Sequence, residues 1–159
     1  MLERFEFSAT VFVLSQHLAG INYWDTHLGI SRNPLMDANQ IVECAMRGIE
    51  IGSHGRNPVN LTKVPLVEAK NEILASQREL EDLVGTEITS FCYPYGSFNN
   101  DLTKICITSS YKSSVSMLRG RCHLKQDHYH SLPRIPINWR TTLPQFLLKI
   151  TTSYEDRRA

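Results

Sequence analysis

The run of apolar and polar positions changes period several times along the chain, and each change marks an element. Residues 8–14 are β-rich and almost continuously apolar, the pattern of a strand covered on both faces. Residues 20–34 carry Gly20, Asn22, Gly29, Asn33 and Pro34 and read as a loop. From Asp37, a candidate N-cap, Ile41, Val42, Ala45 and Met46 form a stripe that predicts a helix to about Arg47, closed by Gly48. Ile49 and Ile51 then alternate with Glu50 and Gly52, which predicts a short buried strand with His54 on the loop past its end. Pro65 suits the first turn of a second helix. Leu66, Ala69, Ile73, Gln77, Leu80 and Val84 repeat at three and four along it, and Gly85 stops it. Residues 88–93 read as a strand, Pro94-Tyr95-Gly96 as a turn, and Asn99 or Asn100 as the cap of a helix through Ile107. Strands over 111–117 and 134–137 follow, separated by the polar, irregular stretch 119–131, and a helix over 143–152 ends the series. Strands alternating with helices predict an α/β fold with a parallel sheet. In such folds the working residues stand on loops past the strand ends, which singles out His54.

Composition narrows the classes. The 159 residues suffice for one domain with a core, and 42% hydrophobic with 21% charged residues is an ordinary globular balance. The formal net charge of +1 gives no polyanion-binding surface, so nucleic acid is not an expected partner, and Arg157-Arg158 is too short to change that. No apolar run approaches the ~20 residues of a membrane helix. Met1 to Phe7 lacks the basic and apolar regions of a signal peptide, so export is not encoded and the chain as encoded is expected to be cytoplasmic. Cys44, Cys92, Cys106 and Cys122 form no C-x-x-C pair; Cys44 and Cys92 fall in apolar patterns and read as core residues, without a disulfide.

Several stretches, taken in order, carry a family resemblance. They are Ala9-Thr10-Val11-Phe12-Val13, Asn22-Tyr23-Trp24-Asp25, Pro34-Leu35-Met36, Gly48-Ile49-Glu50-Ile51-Gly52-Ser53-His54, Asn60-Leu61-Thr62, Ser90-Phe91-Cys92-Tyr93-Pro94-Tyr95-Gly96 and Leu132-Pro133-Arg134-Ile135. Over residues 7–137 the chain resembles the polysaccharide deacetylases of the NodB-homology type, carbohydrate esterase family 4. The resemblance implies a distorted, incomplete (β/α) barrel, with residues 1–159 forming one partial domain. The family's first strand, which ends in a Thr-Phe-Asp-Asp-Gly type of motif, has no counterpart in residues 1–8. Leu2-Glu3-Arg4-Phe5 resembles the last turn of the helix that follows that strand, so the chain is expected to begin inside the family domain.

By resemblance the activity is metal-dependent removal of acetyl groups from N-acetylated amino-sugar glycans. A divalent ion, zinc foremost, polarises the acetyl carbonyl and activates water, and a carboxylate takes the proton. The family holds the ion with one aspartate and two histidines spaced H-x-x-x-H. His54 matches the first histidine, but Pro58 occupies the second position and offers no side-chain donor. The metal aspartate and the catalytic base belong to the unmatched upstream motif, so no catalytic residue is retained. One imidazole does not hold zinc stably. The turn at Tyr93, Pro94 and Tyr95 matches the family's Pro-Tyr motif, which implies substrate contacts from all three and would aim the backbone N–H of Tyr95 at the oxyanion; it reads equally as a plain turn. Trp24 and Tyr23 either anchor their loop on the core or offer flat faces to a sugar ring. Trp139 reads as packing, and His123, His128 and His130, with Asp127 among them, as a solvated loop. His17 and His27 have no partners nearby in sequence.

The readings that follow are a deacetylase-like chain inactive alone, one half of a split deacetylase completed by an upstream fragment, a non-catalytic carbohydrate-binding remnant using Trp24, Tyr23 and Tyr95, or a decayed gene product without function. A missing buried strand costs several kcal/mol, at roughly 1.5–3 per large side chain. Native stability is only ~5–15 kcal/mol. A marginal or self-associating protein is therefore expected.

Overall fold

The computed structural model describes residues 2–123 and 128–156. Its centre is a five-stranded sheet, β1 (Thr10–Val13), β2 (Glu50–Ser53), β3 (Ser90–Cys92), β4 (Ser113–Arg119) and β5 (Leu132–Arg134), and every neighbouring pair is parallel. Sheet order equals chain order. Among the described residues the sheet does not close: β1 pairs only with β2, and β5 only with β4. The architecture is an incomplete α/β barrel.

Helices cover the sheet where the pattern demands. α1 (Ala38–Met46) opens on Asp37, whose carboxylate accepts the Gln40 N–H while the Gln40 side chain accepts the Asp37 N–H, a reciprocal capping box. α2 (Leu66–Val84) buries Ala69, Ile73 and Leu80 against the sheet and ends at Gly85 in the left-handed conformation. α3 (Asn100–Thr108) is capped by Asn99, whose side chain accepts the Leu102 N–H. The core gathers Ile41, Ile73, Leu80, Ile88, Phe91, Tyr93 and Leu102. Across three strands, Glu50 accepts hydroxyl bonds from Thr10 of β1 at 2.6 Å and Ser90 of β3 at 2.5 Å.

The last third departs from the expected boundaries. β5 runs over Leu132–Arg134 rather than 134–137, because Pro136 has no N–H to extend the ladder. β4 starts two residues later than expected, since Tyr111 turns into the core and donates its hydroxyl to the Ile73 carbonyl. The loop at 20–34 contains a 3-10 helix, Tyr23–Leu28, closed by an Ile21–Pro34 bridge. Trp139 does not pack: it is 86% exposed, with the Arg140 guanidinium 4.6 Å over its ring. α4 (Leu143–Thr151) buries no residue of its own; Lys149 ties it to the Pro136 carbonyl and to the buried Glu155. Among the described residues no helix is long and apolar enough to cross a membrane. Cys44, Cys92, Cys106 and Cys122 are all free thiols.

Candidate functional site

The C-terminal ends of β1, β2 and β3 frame a cavity of about 330 Å³. Phe12, Val13 and Leu14 enter it from β1, His54 from the loop after β2, and Pro94 and Tyr95 from the turn after β3. The loop before α1 adds Trp24, Asp25, Leu35 and Met36. The loops are zipped together by backbone bonds: Ser15 N–H to the Gly55 carbonyl, Gln16 N–H to Arg56 and His54 N–H to Val13.

His54 sits with Nδ1 2.6 Å from the Cys92 carbonyl. A carbonyl only accepts, so Nδ1 carries the proton and Nε2 is left as the ring's acceptor. Burial pushes the His54 pKa below its ordinary value, against the opposing effect of the Cys92 carbonyl; the Arg134 guanidinium lowers it further and Asp25 raises it. The imidazole is therefore neutral at neutral pH. Burial likewise raises the Cys92 thiol.

The segment after His54 is fixed from α2. Glu72 Oε2 accepts the N–H groups of Arg56 and Asn57, each at 2.8 Å, and its Oε1 accepts the Asn57 side-chain amide at 2.7 Å. The remaining Asn57 oxygen lies 3.2 Å from His17 Nε2. Asn57 is thus fully engaged and turned away from His54. Pro58 lines the cavity, and its carbonyl accepts the Tyr95 hydroxyl at 2.9 Å. Among the described residues no three His, Cys, Asp or Glu side chains come together as a metal site. Of the two positions that the resemblance gives to metal histidines, His54 offers a side-chain donor and Pro58 does not.

The turn after β3 divides its residues between core and cavity. Tyr93 is fully buried, meets Phe91 edge-to-face at 5.2 Å, and donates its hydroxyl to the His130 carbonyl, so its side chain stands away from the cavity where a sugar contact was expected. Tyr95 takes a left-handed conformation (φ 57, ψ 10), which swings its side chain to the cavity rim. Among the described residues its backbone N–H donates no hydrogen bond. Gly96, also left-handed, lies where a Cβ would come within 2.7 Å of the Met117 backbone nitrogen.

Two lining residues went unassigned in the sequence. His17 has distant partners after all: Asn57, and the rings of Trp24 at 5.0 Å and Tyr23 at 6.1 Å. Asp25 follows Trp24 in the 3-10 helix and is the single fixed charge among the described lining residues. Its place in Asn22-Tyr23-Trp24-Asp25 was the available signal. His130 is half-buried beneath the sheet, 3.3 Å from the Ser114 hydroxyl, and burial lowers its pKa. His128 is exposed, and Asp127 lies outside the described residues.

The family model for polysaccharide deacetylase matches residues 1–113. The fold is similar to that of a Streptococcus pyogenes deacetylase, PplD, in complex with acetate, at 21% identity and a TM-score of 0.76 over 93% of this chain and 61% of that one. It is similar to BC0361, a polysaccharide deacetylase from Bacillus cereus, at 19% identity and 0.75 over 90% and 42%. A third likeness, at 17% identity and 0.56 over 71% and 34%, is to wild-type BA3943, a CE4 family pseudoenzyme from Bacillus anthracis. The chain thus spans less than two thirds of each of these structures. No curated protein matches it in sequence.

Proposed function

The chain belongs to the polysaccharide deacetylase family, and from that premise we propose that its cavity receives an amino-sugar glycan which the chain alone binds and does not hydrolyse. The family's reaction is metal-dependent cleavage of the carbon–nitrogen bond of an N-acetyl group. The observation that supports the reading is Pro58: it lines the same cavity as His54, with its carbonyl committed to Tyr95, and by resemblance it takes the sequence position of the second ligand. His54 Nε2 remains as a lone donor, and zinc sites take three or four protein ligands. Trp24 offers a face for a pyranose ring, Pro94 and Tyr95 line the same cavity, and the Tyr95 N–H is the candidate partner for an acyl oxygen.

A second reading, one half of a split deacetylase, is favoured by the open side of β1, where a strand from another polypeptide carrying the missing aspartates has room to pair. Calorimetric titration with zinc, on the chain and on His54→Ala, tests the first reading. The expected outcome is no binding at or below about micromolar in either protein, together with no release of acetate from N-acetylated oligosaccharides. Micromolar binding lost in His54→Ala, or acetate release, overturns it. Zinc-dependent activity that appears only on adding a polypeptide with the Asp-Asp motif establishes the second.

A further inference from the structure

The polar groups around the cavity are unequally committed. His54 Nδ1 is held by the Cys92 carbonyl, His17 Nε2 by Asn57, and the Tyr95 hydroxyl by the Pro58 carbonyl. Asp25 differs: among the described residues no side-chain hydrogen bond or ion pair engages its carboxylate, which reaches His54 through its charge alone. No lysine or arginine lines the cavity among the described residues, and the remaining walls are aliphatic or aromatic. Trp24 stands edge-on to both His17 at 5.0 Å and Tyr23 at 5.1 Å, which fixes its ring beside Asp25. An apolar and aromatic box with one uncommitted anion is complementary to a cation that has apolar faces.

On the glycan reading above, an amino sugar offers one of two groups at its nitrogen. An acetamide is neutral and presents a single N–H donor beside a carbonyl, for which the Tyr95 N–H is the candidate partner but which Asp25 cannot pair with. A free amine is protonated at neutral to mildly acid pH and presents three donors and a full charge. Setting an acetamide against Asp25 strips water from the carboxylate for one neutral hydrogen bond; an ammonium replaces that water with a charge-assisted pair.

We propose that this cavity recognises the free ammonium of a deacetylated amino sugar in preference to the N-acetylated form, Asp25 pairing with the ammonium while Trp24 covers the sugar ring. The chain then reads the product chemistry of its own family. This rests on the glycan reading and assigns its ligand class.

The test compares two probes, a glucosamine oligosaccharide and the same oligosaccharide after full N-acetylation, titrated calorimetrically into the whole chain. It is run at about pH 6, below the ~7.7–8.0 of an α-amino group, and at fixed salt. The expected result is at least roughly tenfold tighter binding of the free-amine probe. Asp25→Asn, nearly isosteric, is expected to equalise the two probes, and Trp24→Ala to weaken both, with circular dichroism confirming that each variant is folded. Equal affinities, tighter binding of the acetylated probe, or a free-amine preference that survives in Asp25→Asn overturn the proposal and leave glycan binding standing. Failure of both probes to bind overturns the glycan reading and this inference together.

Discussion

At the scale of single residues, the loop after β2 is governed by carboxylates of α2. Glu79 accepts the Ser15 hydroxyl at 2.5 Å and the Arg56 Nε at 3.0 Å, joining the loops that follow β1 and β2. Partial burial pushes the Glu79 pKa up, but the Ser15 and Gln16 bonds and the Arg56 charge outweigh it and hold the carboxyl below its ordinary value. The unfolded chain therefore takes up the proton first as pH falls. The stabilisation from Glu79 is present above about pH 4.5 and is lost below it. Urea unfolding of Glu79→Gln is expected to show a loss of about 0.5–1 kcal/mol at pH 7 that shrinks progressively as the pH is lowered beneath the ordinary carboxylate range; a loss that does not shrink on acidification would refute this assignment. Residue-level legibility was uneven. His54 was readable because a histidine after an Ile-x-Ile-Gly strand has one place to go. His17 was not, because its partner Asn57 is 40 positions away and only the pairing of β1 with β2 brings the two together. Tyr93 carried a usable signal: it stands two residues from Phe91, so a strand puts both on one face, and Phe91 is core.

At the scale of elements, caps and apolar periods were enough to place α1, α2 and α3, whose stops and starts are local chemistry at Asp37, Gly85 and Asn99. The strands near the C-terminus were displaced because register there depends on neighbours: β4 slips at Val115/Arg119 against β5, and no local pattern reports that irregularity. The turn after β3 is the element on which the cavity rim depends. Gly96 is left-handed and a Cβ there would meet the Met117 backbone, so Gly96→Ala strains the chain and drives the Pro94–Gly96 turn away from β4. A loss of about 1–3 kcal/mol is expected, with glycan affinity reduced further than stability alone explains. Thermal melting beside calorimetric titration separates the two effects, and unchanged affinity in a folded Gly96→Ala protein would mean that the turn does not shape the site.

At the scale of the whole molecule, the open sheet sets behaviour in solution. The Ala9 and Val13 carbonyls receive the Glu50 and His54 N–H groups, so the alternate residues Thr10 and Phe12 turn their backbone groups to the uncovered side. Phe5 and Phe7, both exposed, precede that edge. Such an edge pairs with further chains. Sedimentation is expected to show association that grows with concentration and is suppressed in Thr10→Pro, which removes an outward N–H and no ladder bond. A chain monomeric at every concentration, or association indifferent to Thr10→Pro, contradicts this. The same sheet has another consequence. Each strand lies beside the one made just before it, with α1, α2 and α3 falling between successive strands, so no strand waits for a distant partner. The order of the described strands therefore lets β2 dock on β1 and β3 on β2 as each is made, so that this part of the sheet can be laid down during synthesis like courses of brick.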